Sequence, residues 1–338
     1  MHPTLPRRPL LALMGLAPLG LAPRGAAAQT APAPGPAPGP APGPAMPPAG
    51  RRPWADQVRE LRIGLLSDEN QADRMARTRA YRDLLSAHFG IPARIFEAAD
   101  YSGVMQGFAA RQLEISNMGA LVYARIWLDT QGNIEPLVVA LAEDGSASYH
   151  AMMYVRADSG ITSIEQMRGR SLAWADPNST SGFLVPRSEL REAGINIESF
   201  FSRTGFAGGH EQAIVAVLGR QFDAGVTWAS GIGEEAQGFS RGMLRATAEK
   251  GLLNMRDIRI IWRSGPIQNG PLVVRKDTPQ AFRDDMRAFH LALPTSHPEI
   301  HRAVERGTTI GWVPTKHEDY ELFIQMRREE AQQRRQRN

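Results

Sequence analysis

The residues best placed to do chemistry lie in Trp174-Ala-Asp-Pro-Asn-Ser-Thr-Ser-Gly-Phe-Leu-Val-Pro186. Asp176-Pro177-Asn178 is turn chemistry after a short apolar run, and Ser179, Thr180 and Ser181 stand where a helix must begin before Phe183 and Leu184. Three hydroxyls beside the free N–H groups of a helix start form a neutral, donor-rich cradle for an oxyanion, one that needs no lysine or arginine. Ser179 has a second reading as a plain helix N-cap, and the motif alone leaves the two level.

Gly208-Gly-His-Glu-Gln212 opens another helix over Ala213–Leu218. Its glycines admit close backbone approach, and His210 can donate to an anion from the first turn or serve as a capping residue. Zinc-protease spacing would need a histidine at 214, where Ile214 stands. Gly231-Ile-Gly-Glu-Glu-Ala236 has the outline of a dinucleotide fingerprint, but Glu234 and Glu235 would face the pyrophosphate. His290, His297 and His301 are separated by Pro294 and Pro298, which break the helical spacing that metal ligation would use. No P-loop, nucleophile elbow or acidic metal cluster stands in the chain, so no catalytic group, metal or cofactor is expected.

These junctions need strands to end at them and helices to start from them. Leu61–Leu66 reads as a strand, Ser67-Asp-Glu-Asn70 opens a helix to about His88, and Ile91–Phe96 is a second strand. Asp100-Tyr101-Ser102 then starts a helix that carries Val104, Met105 and Phe108. The rhythm continues through apolar runs at 137–141, 151–155, 171–174, 224–228, 258–262 and 272–274. Strand and helix alternate over too many strands for one sheet, so the expected fold is α/β in two lobes. In such sheets ligands bind beyond the carboxyl ends of strands, where the hydroxyl and histidine motifs fall.

The formal charge of +4 is not spread evenly over the 338 residues. Residues 1–53 hold five arginines and no acid, and residues 327–338 hold five arginines against Glu329 and Glu330, which leaves a net −4 for 54–326. A groove for a phosphate backbone is therefore not expected, and no nucleic-acid partner is assigned. The absence of cysteine excludes disulfides, thiolate metal sites and cysteine nucleophiles. Residues 1–28 read as a cleaved export signal: Arg7 and Arg8, an apolar run Leu10–Leu21, then Ala26-Ala27-Ala28 before Gln29. Pro9 is a poor match to a twin-arginine signal. Residues 29–53, rich in Ala, Pro and Gly, have nothing to bury and read as an extended spacer.

With its motifs in this order, the chain resembles the periplasmic solute-binding proteins of phosphate, phosphite and phosphonate ABC transporters. The resemblance is collinear from about Leu61 to Phe323. It rests on Asp100-Tyr-Ser-Gly-Val104, Ser159-Gly-Ile-Thr-Ser-Ile164 with Gly169-Arg170, Asp176-Pro-Asn-Ser-Thr-Ser-Gly182, Gly209-His-Glu-Gln-Ala213, Ser264-Gly-Pro-Ile-Gln-Asn-Gly-Pro271, and Gly311-Trp-Val with Asp319-Tyr320. The resemblance implies the two-lobed type II binding-protein fold, with the ligand clamped between lobes joined by two crossover strands. The first lobe would comprise 54–149 and 271–326, the second 150–270, with a basic tail over 327–338.

By the family's motif positions, Ser179, Thr180, Ser181 and His210 would grip the phosphorus oxygens, and Tyr101 and Tyr149 would close over them from the first lobe. The implied protein is a periplasmic monomer, not an enzyme, that hands a small oxyanion to a membrane permease. Family members that bind aminoalkylphosphonates hold the ammonium with acids, one of them before the proline matching Pro271. Gly270 stands there, Thr227–Ser230 are uncharged, and Glu234 and Glu235 are the only acids near in sequence, so a ligand without a cationic tail is expected. The alternatives are a binding protein for another anion such as a sulfonate, a sensor-linked binding protein, or an exported enzyme built on His210 and Ser179 with Glu211 as orienting carboxylate. The mature chain is expected to begin at Gln29. N-terminal mass analysis of exported protein checks this, and an intact Met1 in the soluble periplasmic fraction would contradict it.

Overall fold

The computed structural model describes residues 44–337. The expected export signal and most of the proline-rich spacer lie outside these residues. The end of the spacer is packed, because Met46 lies against the first lobe's core and the Gly50 amide donates to the His88 carbonyl at 2.8 Å.

The chain first lays down β1 (Leu61–Leu65), α1 (Gln71–Phe89), β2 (Ala93–Phe96), α2 (Tyr101–Ala109), β3 (Ile115–Asn117), α3 (Ala120–Asp129) and β4 (Ile134–Leu141). It then crosses to β5 (Ser148–Arg156), β6 (Ser171–Trp174), α4 (Val185–Glu192), α5 (Ile197–Phe200), β7 (Arg203–Phe206), α6 (His210–Leu218), β8 (Ala224–Ala229), α7 (Met243–Glu249), β9 (Ile258–Arg263) and β10 (Ile267–Gln268). It returns through β11 (Leu272–Arg275), α8 (Gln280–Ser296), α9 (Pro298–Glu305), β12 (Gly311–Pro314) and α10 (Glu321–Arg337).

These strands form two six-stranded sheets, and with them the expected two-lobed α/β fold. The first runs β12-β4-β11-β3-β1-β2, and the second runs β10-β5-β8-β6-β7 with β9 also on β5. Strands linked through helices are parallel, as in β2-β1-β3 and β7-β6-β8, because a crossover helix returns the chain to the same edge direction. The strands that carry the chain between lobes pair antiparallel: β11 with β3 and β4, and β9 and β10 with β5. The two connections run side by side, with the Asn269 amide on the Ala147 carbonyl at 2.7 Å and Asn269 Nδ2 on the Ala140 carbonyl at 2.9 Å.

Helix starts follow local chemistry. Asn70 accepts from the Ala72 amide and Asp100 from the Gly103 amide, so each turns its strand exit into a capped helix. Two differences from the sequence reading concern boundaries. Tyr149 stands on β5 opposite Ile267, so it belongs to the second sheet rather than the first lobe. Helix α10 continues without a break into the arginine-rich segment, where buried Arg327 donates to the Leu121 carbonyl. The stem of a long arginine can cover apolar surface while its head is paired, which is why charge counting marks this segment as a tail and packing does not.

His290 is wholly buried inside α8 beneath Trp312 and Phe289. Its Nδ1 lies 2.6 Å from the Met286 carbonyl, which can only accept, so Nδ1 carries the proton and Nε2 accepts from the Tyr81 hydroxyl at 2.6 Å. Burial pushes this imidazole down to about 4 from 6.5. The unfolded chain takes up the proton first as pH falls, so the stability tied to His290 is full above pH 6.5 and is lost progressively toward pH 4. The loss amounts to about 3 kcal/mol. Denaturant unfolding across this range is expected to show it, and His290→Gln is expected to flatten the slope.

Candidate functional site

A cavity of about 130 Å³ lies between the sheets at the carboxyl ends of β1, β3 and β6, among residues that include Leu65, Asn117, Met118 and Ser179–Ser181. The starts of four elements converge on it: Tyr101 opens α2, Gly119 precedes α3, Thr180 opens a π-helical turn, and His210 opens α6. Each start leaves N–H groups without a partner inside its own helix, so the cavity collects donors from both lobes.

The hydroxyl motif folds as its local chemistry dictates. Asp176 Oδ1 accepts from the Asn178 amide, and Ser179 then caps the turn by accepting from the Gly182 amide at 3.0 Å. The turn is π-helical, Thr180–Leu184, with the Leu184 amide on the Ser179 carbonyl at 3.0 Å. Ser179 therefore does both jobs that the motif left open: it caps, and its Oγ stands 3.1 Å from His210 Nε2 at the cavity. His210 Nδ1 lies 3.3 Å from Thr227 Oγ1. Burial, aided by the charge of Arg306, pushes His210 down to about 3, so its ring is neutral with one donor and one acceptor.

Thr180 reaches across the cleft, where its Oγ1 accepts from the Leu121 amide at the start of α3 at 3.1 Å. Tyr101 is held well above the ordinary phenol range by burial and then by Asp68 and Asp176. Burial likewise pushes Tyr149 up to about 12, and it packs edge-on against Trp228 with ring centroids 5.5 Å apart. Both phenols keep their protons and remain donors. All six residues singled out in the sequence, Tyr101, Tyr149, Ser179, Thr180, Ser181 and His210, line this one cavity.

The sequence reading missed the charged part of the wall. Asp68, Arg77, Arg241, Glu305 and Arg306 line the same cavity, so the site is not free of arginine as the hydroxyl motif suggested. The charges come in pairs: Arg306 with Asp68 at 2.6 Å and Arg241 with Glu305 at 2.6 Å. Arg241 also donates to Asn269 Oδ1 at 2.7 Å and lies over Trp228. Asp68 was legible in part, since it sits at a strand-to-helix junction of the kind read for chemistry elsewhere. Arg241 and Arg306 carry no local signal, because their partners lie 64 and 238 residues away.

Glu234 and Glu235 are exposed and are not among the cavity's lining residues. Glu211 faces Lys250 Nζ at 2.6 Å and the Asn70 amide at 3.1 Å, not His210, so the arrangement proposed for an enzyme lacks its orienting carboxylate. Gly270 is a packing requirement: a Cβ there would lie 1.8 Å from the Met118 carbonyl oxygen. No acid can stand at that position while the two backbones pass so closely.

A family model described as ABC transporter, phosphonate, periplasmic substrate-binding protein matches residues 63–320. The phosphonates-binding periplasmic protein of Escherichia coli K12 is 27% identical over 263 residues, 77% of this chain and 72% of its own length. The phosphate-import protein of Mycolicibacterium smegmatis is 26% identical over 214 residues, 61% of this chain and 63% of its own. PhnD1 of Prochlorococcus marinus, solved in complex with methylphosphonate, superposes with a TM-score of 0.67 at 18% identity, covering 81% of this chain and 98% of that one. The structural likeness confirms the fold.

Gly270→Ala is expected to lower unfolding stability by about 1–3 kcal/mol or more, since the added methyl meets rigid backbone. Gly265→Ala, whose nearest contact would be 3.5 Å away, serves as the control in urea titrations. Equal stability of the two variants would contradict the close approach.

Proposed function

The chain belongs to the phosphonate family of periplasmic ABC-transporter substrate-binding proteins, and from that premise we propose that it captures a small phosphorus oxyanion, namely a phosphonate, phosphite or phosphate. The observation that carries this reading is the convergence of Ser179, Thr180, Ser181, His210 and Tyr101 on one cavity at the starts of three helical elements, with the start of α3 beside them. Hydroxyls and N–H groups fixed by their own helices hold a buried oxyanion with little reorganisation. Ser179, Thr180, Ser181 and His210 grip it from the second lobe, while Tyr101 and the start of α3 meet it from the first. Tyr149 and Trp228 close the wall beside them.

Because the ligand touches both lobes only when they meet, binding shifts the population toward the closed form. The Thr180 to Leu121 bond supports this reading, because it brings the second lobe's hydroxyl motif against the first lobe. The closed protein is the form presented to a membrane permease. The chain acts as a monomer, exported through the cleaved segment 1–28 and held off its surroundings by the proline-rich spacer.

Calorimetric titration with methylphosphonate, phosphite and phosphate tests this reading. Thr180→Ala is expected to weaken the ligand that wild type binds by about one to two orders of magnitude, the worth of a hydrogen bond to a charged group. Unchanged affinity in a folded variant would place the site elsewhere, and no binding of any of the three by wild type would overturn the reading.

A further inference from the structure

We propose that Lys250 is a latch across the cleft that sets how long a captured oxyanion is held, through ion pairs that do not touch the ligand. This rests on the oxyanion reading above. Lys250 stands at the C-terminal cap of α7 in the second lobe, and its ammonium donates to three carboxylates: Glu211 Oε2 at 2.6 Å, Glu69 Oε2 at 2.9 Å and Asp73 Oδ2 at 3.0 Å. Glu211 belongs to α6 of the same lobe, whereas Glu69 in the loop after β1 and Asp73 in the first turn of α1 belong to the other. An ammonium has three N–H donors, so all are used and two of them cross between the lobes. Lys250, Glu69, Asp73 and Glu211 are not among the residues that line the cavity.

The acids explain why this cation matters to closure. Glu69 and Glu211 are buried, so each charge must be paired where it stands. Glu69 has Arg77 and Arg306 from its own lobe as further partners. Glu211 is held by Lys250 on Oε2 and, across the cleft, by the Asn70 amide on Oε1 at 3.1 Å. Bringing the lobes together sets Glu211 of one against Glu69 and Asp73 of the other, and Lys250 is the cation placed among them. With it the approach of the lobes at this edge is attractive, and without it like charges meet. Beside it Glu249 pairs with Arg302 of α9 at 3.2 Å, a second ion pair across the same edge, exposed and worth little by itself.

A ligand clamped between the lobes leaves only after they part. An interaction made only on closure therefore slows release and scarcely alters the encounter with the open cleft. Burial works against the ammonium, but Glu211, Glu69 and Asp73 outweigh it and hold the proton above the ordinary lysine range. Near neutral pH the latch is thus fully charged, and salt is the variable that loosens it. The Lys250 side chain is 22% exposed and that of Asp73 47%, so counterions reach the outer pair while the bonds to Glu69 and Glu211 are better shielded.

Stopped-flow fluorescence of the full chain with methylphosphonate, phosphite and phosphate tests this, with Trp228 in the cavity wall as reporter. Lys250→Met keeps the stem and removes the charge. It is expected to speed release about tenfold or more and to leave association within about twofold, so that Kd rises with the release rate. Asp73→Asn removes only the outer pair and is expected to speed release about two- to fivefold. Raising salt from about 0.02 to about 0.5 M is expected to speed release from wild type about threefold, and from Lys250→Met by less. Arg245→Met is the control: it removes a charge of the same 22% exposure from the same helix, but its partner is Glu249, four residues on, and release is expected to stay within about twofold.

Wild-type release rates in Lys250→Met would overturn the proposal. So would equal acceleration in Arg245→Met, which would mark damage to α7 rather than loss of a latch. A weaker Kd carried by slower association alone would assign Lys250 to steering of the anion and overturn it too. Should Lys250→Met fail to fold, wild-type release in Asp73→Asn at low salt is sufficient to overturn it. Failure of wild type to bind any of the three ligands would overturn the functional reading and this inference with it, whereas binding with release unaltered by these substitutions overturns the inference alone.

Discussion

A buried carboxylate must be paired, and Glu69 is the place where this constraint organises the cleft. Its side chain is wholly shielded from solvent and receives Arg77 from α1, Arg306 from the segment after α9, and Lys250 from the second lobe. Burial works against its charge, yet Arg306 and Arg77 outweigh burial and hold it down to about 2. One anion thereby fixes two arginines of the cavity wall and ties the second lobe to the first. Lys250 extends the tie to Asp73 at 3.0 Å and to Glu211 at 2.6 Å, so the helix that carries His210 is anchored through the residue next to it.

From that anchor the wall of the cavity follows by short steps. Arg306 orients Asp68, whose carbonyl receives the Glu211 amide, and this sets the start of α6 against the exit of β1. His210 then meets Ser179, and Ser179 caps the π-helical turn that aims Thr180 at α3. Gly182 lies inside this turn, where a Cβ would meet Ala175 at 2.5 Å and the His210 ring at 2.8 Å, so the turn packs close to the histidine it serves. The site's neutral donors and its charge pairs are therefore one construction. Partly buried ion pairs of this kind contribute position more than net stability, because desolvation cancels much of their attraction.

The hinge side obeys the same logic by different means. Asn269 joins the two connections through its amides, receives Arg241 on its Oδ1 and offers its carbonyl to the Tyr320 hydroxyl at 3.1 Å. Arg241 in turn is paired with Glu305, which also accepts from Trp312 Nε1 at 2.7 Å. Gly270 follows directly, with the Met118 carbonyl where a side chain would stand. The two connections, Trp228 and the cavity wall are thus coupled through one arginine, while the Met118–Gly119 backbone leaves no space for an acid at 270.

The alternation of strands and helices, the capped helix starts at Asn70, Asp100 and Ser179, and the hydroxyl motif were legible in the sequence because each depends on neighbours a few residues away. Turn chemistry, capping and side-chain period are local, and the ligand-binding end of an α/β sheet follows from them. Tyr101, Ser179, Thr180, Ser181 and His210 stand at helix starts and meet at one cavity for that reason, whereas Tyr149 was named only through the resemblance. Tertiary structure alone decided what stands opposite them. Asp68 with Arg306, Arg241 with Glu305, and Gly270 against Met118 join residues far apart in the chain, and their pairing is selected by burial rather than by spacing. The placement of Tyr149 on the second sheet was settled by a register with Ile267 that no periodicity encodes. Long-range charge pairing leaves no pattern in a single sequence, because any buried arginine can be satisfied by any acid that the fold brings within reach.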